Sequence, residues 1–99
     1  MEMILYKDSN EIYRIRKEEE GCSIFSNVNY IEGDDMLFYI LKKFNELGIK
    51  SALEEFEKEF PKNIDEIKND LLILCKDFKE NSLFLETVAS IEAYYRNEG

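Results

Sequence analysis

The spacing of apolar residues changes partway along the chain, from a period of two to a helical period. Glu11-Ile12-Tyr13-Arg14-Ile15-Arg16-Lys17 alternates in polarity and is rich in Ile, Tyr and Arg. That pattern predicts a half-buried strand with Tyr13 and Ile15 inward. After Glu18-Glu19-Glu20-Gly21, Cys22-Ser23-Ile24-Phe25 reads as a second strand with Ser26-Asn27 as its turn. Val28, Asn29, Tyr30 and Ile31 fit a short third strand, which Gly33 breaks. Residues 4–7, closed by Asp8-Ser9-Asn10, carry a weaker strand signal.

Helical spacing follows. Asp34 or Asp35 can cap a first helix whose positions Leu37, Ile40, Leu41, Phe44 and Leu47 share a stripe, and Gly48 stops it. Ser51-x-x-Glu54 reads as a capping box for a second, short helix with Ile49, Ala52, Leu53, Phe56 and Phe60 on one side, ended by Pro61. Asn63-x-x-Glu66 opens a third helix in the same manner, with the core stripe Ile64, Ile67, Leu71, Leu74, Cys75 and Phe78. Its acidic start (Asp65, Glu66) and basic end (Lys76, Lys79) suit the helix dipole. Within it, Leu71-Leu72-Ile73-Leu74-Cys75 is apolar all round the circumference, which predicts cover on a second face. Ser82-Leu83-Phe84-Leu85 can close the core, and residues 87–97, with Val88, Ile91, Tyr94 and Tyr95, allow a short C-terminal helix.

The expected fold class is therefore α+β. It is a winged helix-turn-helix-like arrangement in which a three-stranded antiparallel sheet packs on three helices. With 99 residues and no linker, repeat or low-complexity stretch, one domain over 1–99 is expected.

Composition narrows the function. The chain has 22 acidic and 13 basic residues, a net charge of −9. Such a charge repels phosphate backbones and anionic membranes at long range, so basic or neutral polypeptides are the expected partners, not nucleic acid or membrane. Histidine is absent. The commonest general base and zinc ligand go with it, and a non-enzymatic role without cofactor is expected. Cys22 and Cys75 are far apart and flanked by apolar residues, as expected of buried free thiols in a reducing cytoplasm. Asp34-Asp35 reads as a helix cap, since too few oxygen ligands surround it for a calcium loop, and the Glu18-Glu19-Glu20 and Glu54-Glu55 groups read as solvated faces. The Met1-Glu2-Met3-Ile4-Leu5-Tyr6 run lacks the basic start of a signal peptide and the length of a membrane span, which points to the cytoplasm.

Three stretches resemble the PqqD-like family, the recognition elements of ribosomally synthesised and post-translationally modified peptide pathways. Tyr13-Arg14-Ile15-Arg16-Lys17-Glu18-x-x-Gly21-x-x-Ile24-Phe25 is similar to the family's opening strands. Ala52-Leu53-x-x-Phe56-x-x-x-Phe60-Pro61 is similar to its second helix, and Asp70-Leu71-x-x-Leu74-Cys75-x-x-Phe78-x-x-x-Ser82-Leu83-Phe84 to its third helix and apolar stop. Ile31-Glu32 stands where the family often has Leu-Asn, and Ser82 where it favours glycine.

The resemblance implies an accessory protein that binds the leader of a precursor peptide as an added strand, in a groove shared with the third helix. It would present that leader to a modifying enzyme, such as those of the radical S-adenosylmethionine class. The residues implied are the edge backbone of Val28, Asn29, Tyr30 and Ile31 and the helical stripe Asp65, Lys68, Asn69, Leu72 and Lys76. Leu72 would be an apolar seat, with Lys68 and Lys76 holding leader carboxylates. A monomer or weak homodimer is expected. Two alternatives stay open. One is an acidic interaction module, inhibitor or antitoxin-like, that occupies a basic site. The other is a winged-helix DNA-binding regulator, disfavoured because residues 62–80 carry five acidic and four basic side chains.

Overall fold

A computed structural model describes residues 2–97. The chain is α+β, with four antiparallel strands followed by four helices, and it divides into two compact units, Met1–Glu46 and Leu47–Gly99.

The first unit is a meander in the order β1 (Met3–Asp8), β2 (Glu11–Lys17), β3 (Cys22–Phe25), β4 (Tyr30–Gly33), continued by α1 (Asp35–Leu47). Three strands were expected and four are present, because the weak signal at residues 4–7 is a full strand. Ile4 and Tyr6 are buried, and they pair with Ile15 and Tyr13 of β2. The register lines Ile4, Ile15, Ile24 and Ile31 into one row on the inner face, beside Tyr6 and Tyr13. Tyr13 and Ile15 point inward as their alternation predicts.

The third expected strand lies two residues further on. Ser26 to Asn29 form the hairpin connection, closed by the Ser26 amide donating to the Asn29 carbonyl at 2.9 Å and the Asn29 amide to Ser26 Oγ at 3.0 Å. Val28 and Asn29 thus belong to the turn, and Gly33, expected to break the strand, is its last residue.

The start of α1 is tied down by carboxylates. Asp34 Oδ1 accepts from the Leu37 amide at 2.8 Å, a true N-cap. Asp35 takes the Gly21 amide and the Lys17 ammonium, each at 2.8 Å, which hold its carboxyl below the ordinary aspartate range. Gly21 has φ +77°, and a Cβ there would lie 2.4 Å from the Gly33 carbonyl oxygen, so no other residue fits this β2–β3 turn without a shift. Farther along α1, Lys42 pairs with Glu2 at 2.6 Å.

The second unit holds α2 (Ile49–Glu59), a 3-10 turn (Pro61–Asn63), α3 (Ile64–Glu80) and α4 (Leu85–Arg96). The helix α4 packs on both α3 and α2. The buried apolar side chains of the second unit are Ala52, Leu53, Phe56, Leu71, Cys75, Phe78, Leu83, Phe84, Val88, Ile91 and Tyr95. Phe78 and Phe84 meet with ring centroids 4.8 Å apart, Lys79 pairs with Glu92 at 2.6 Å, and Tyr94 donates to Glu57.

Neither expected capping box forms. The helix α2 starts at Ile49 directly after Gly48 (φ +84°), which leaves Ser51 inside the first turn. Asn63 spends its side-chain amide on Glu66 Oε2 (3.2 Å) instead of accepting a backbone N–H. The apolar run of α3 is not covered all round either. Leu71 and Cys75 are buried, Leu72 and Leu74 are half-buried, and Ile73 is 61% exposed. Successive helical residues step by about 100°, so five in a row necessarily include one that faces away from the side on which α4 packs.

Candidate functional site

An antiparallel meander has two edges, here β1 and β4, and each strand's backbone groups alternate between its neighbour and the open side. Three backbone bonds set the phase. Lys17 donates to the Glu2 carbonyl, Glu18 to Gly21 and Ser26 to Asn29, at 2.8, 3.0 and 2.9 Å. Counting from Ser26–Asn29, the Ile24–Ile31 and Cys22–Gly33 pairs are hydrogen-bonded and the Phe25–Tyr30 and Ser23–Glu32 pairs are not. Counting from Glu18–Gly21 along β2–β3 gives the same orientation for Ile24, since its pairing with Ile15 is then unbonded and its amide and carbonyl turn to β4.

Tyr30 and Glu32 therefore aim their N–H and C=O groups at the open edge, while Ile31 and Gly33 spend theirs on β3. The Tyr30 and Glu32 side chains lie on the exposed face, where the Tyr30 hydroxyl donates to Glu32 Oε1 at 3.1 Å and the Tyr30 ring sits 5.0 Å from Phe25. By the same count β1 turns the backbone of Met3, Leu5 and Lys7 outward. The two edges differ in guarding. Lys7 on β1 is a charged edge residue of the kind that most discourages a further strand, whereas the charged residue on the β4 edge is Glu32.

Of the residues expected at the strand edge, Tyr30 supplies open backbone groups. Ile31 is in the strand but bonded to β3, and Val28, 82% exposed, and Asn29 are in the turn. Glu32 was missed. A fixed register would have revealed it, since Ile31 inward and Glu32 outward continues the alternation backwards from the helix cap at Asp34.

Asp65, Lys68, Asn69, Leu72 and Lys76 all lie on α3, in the second unit. Spacings of three and four place them on one stripe. Asp65, Asn69 and Lys76 are exposed; Lys68 and Leu72 are half-buried. The Lys68 ammonium lies 5.6 Å over the Tyr95 ring, so its charge is already engaged by α4.

Cys22 and Cys75 are buried and free. Burial is the main cause that raises both thiols, Cys75 to about 11. Among the described residues no group of three or more carboxylates and thiols is placed to hold a metal, and no helix is long and apolar enough to cross a membrane. No protein-family model, curated protein or solved structure matches the chain.

Proposed function

We propose that this chain is a non-catalytic peptide-recognition module, winged-helix-like, that takes the leader of a ribosomally made precursor as a fifth strand along β4. The observation that carries the reading is the pair of outward backbone positions, Tyr30 and Glu32, on an edge with no lysine. An extended segment satisfies their N–H and C=O groups, and its own alternate side chains fall beside Tyr30 on one face and Ile31 on the other. An aromatic or β-branched leader residue opposite Tyr30 extends the cross-strand row that ends in Phe25 and Tyr30, and a basic one complements Glu32. The stripe Asp65, Lys68, Asn69, Leu72 and Lys76 is the proposed second element of recognition. A modifying enzyme, as in the radical S-adenosylmethionine class, is the proposed recipient of the presented peptide.

A second support comes from the stop of α3. The PqqD-like family favours glycine where this chain has Ser82, and Ser82 adopts φ +55°, the backbone conformation that suits glycine.

A free leader is disordered, and ordering it costs about 2–5 kcal/mol of the gross interaction. Each lost edge contact therefore shows. Tyr30→Pro removes one outward N–H without touching a bond to β3, and is expected to lower leader affinity about tenfold or more while the circular dichroism stays native. Ile31→Pro deletes a bond of the β3–β4 ladder and is expected to loosen the hairpin itself. Unchanged affinity in a folded Tyr30→Pro variant would rule out strand addition at β4.

A further inference from the structure

The face of the sheet opposite the isoleucine row is largely exposed, with Ser23 buried on it. The register sets out its residues in three rows across the strands: Met3, Arg16, Ser23, Glu32; Leu5, Arg14, Phe25, Tyr30; and Lys7, Ile12. Met3, Leu5, Ile12 and Tyr30 are each more than half exposed. Phe25 is half-buried beneath the guanidinium groups of Arg14 (5.8 Å) and Arg16 (5.5 Å) and beside the Tyr30 ring.

Charge on this face runs against that of the chain. Lys7, Arg14 and Arg16 stand with two carboxylates, Glu32 and the Glu18 that follows β2, in a protein of net charge −9. Arg16 is paired with Glu18 at 2.6 Å, but neither Lys7 nor Arg14 meets a carboxylate among the described residues. Aliphatic side chains between unpaired cations complement an acidic, aliphatic surface. Strand spacing makes the face about 14 Å wide, room for one helix, which measures about 10–12 Å across with its side chains.

We infer that this face docks one acidic amphipathic helix of a partner protein. Leu5, Ile12 and Phe25 seat the partner's aliphatic stripe, and Lys7 and Arg14 meet the flanking carboxylates. Apart from Phe25, whose ring lies beside Tyr30, the seats lie on β1 and β2, at least two strands from β4. Nucleic acid fits less well. The net charge opposes phosphate at long range.

The test uses two synthetic helical peptides, each with leucines at alternating spacings of three and four. One carries glutamate between them and the other lysine. Amide NMR of the full chain is expected to show the glutamate peptide shifting Leu5, Ile12, Arg14 and Phe25, and the lysine peptide leaving them unmoved. Leu5→Glu and Arg14→Glu, neither of them on β4, should each weaken that binding by about tenfold or more, in line with losing one complementary contact. Both variants should leave leader binding at β4 unchanged, so a failure here is distinguishable from a failure there. Equal response to the two peptides, or none at millimolar concentration, would overturn the proposal. So would a single-stranded oligonucleotide that perturbs this face in preference to the glutamate peptide, or self-association through the same amides without peptide.

Discussion

Burial sets the chemistry of the two thiols. Each is a neutral group in an apolar setting, and desolvation of the thiolate raises its pKa, that of Cys75 to about 11 with Glu92 adding to the effect. A raised pKa makes the neutral thiol the form the fold prefers. That contribution is complete below the ordinary thiol value and is lost as pH climbs through the raised one. In the folded protein at pH 8 neither cysteine is expected to react with an aromatic disulfide reagent on the timescale of a free thiol, and both should react once denaturant unfolds the chain. Prompt labelling of Cys75 in native protein would contradict its burial. Asp35 shows the opposite case at the surface. Two donors, from Lys17 and Gly21, stabilise its charged form, so that its tie to the β2–β3 turn persists until pH falls below the ordinary aspartate range.

Element ends were less legible than element faces, and the stop of α3 illustrates why. The Leu83 amide reaches back to the Phe78 carbonyl at 2.9 Å and the Ser82 amide to Lys79 at 3.2 Å, with Ser82 at φ +55° between them. Leu83 and Phe78 are both buried, as the Schellman arrangement requires of its flanking apolar pair. A left-handed L-residue costs roughly 1–2 kcal/mol, partly offset by the extra chain entropy of glycine. Ser82→Gly is therefore expected to stabilise the protein by about 0.5–1 kcal/mol, read as a rise in the denaturation midpoint. A fall would mean that the serine hydroxyl contributes more than the backbone strain removes. The stripes of Tyr13 with Ile15, and of Leu71, Cys75 and Phe78, follow from periodicity because burial selects a face directly. Caps depend on one hydrogen bond, and Ser51 and Asn63 match the spacing while forming none to the backbone. The strand at β1 was faint for a different reason. Met3 and Leu5 are apolar yet face outward, which blurs the alternation that would have announced it.

At the scale of the molecule, the proposed leader recognition draws on backbone groups of β4 in the first unit and on side chains of α3 in the second. That division explains how much of the candidate site could be read beforehand. Tyr30 is legible as an edge residue because a short aromatic strand precedes Gly33. Glu32 is not, because the hairpin connection runs to Asn29 and displaces the strand by two positions. The α3 stripe is legible as a helical face, but its half-buried Lys68 is held over Tyr95 by a contact that no local spacing encodes. The acidic excess of the chain is not carried onto the outer face of the sheet, where Lys7, Arg14 and Arg16 stand with Glu18 and Glu32. The most direct test of the central claim is residue-resolved amide hydrogen exchange with and without the leader segment of any short peptide encoded beside this chain. In the free protein Ile31 and Gly33 should be protected and Tyr30 and Glu32 should exchange freely; with the leader bound, Tyr30 and Glu32 should become protected as well. A leader that binds while Tyr30 and Glu32 go on exchanging freely would contradict strand addition at β4.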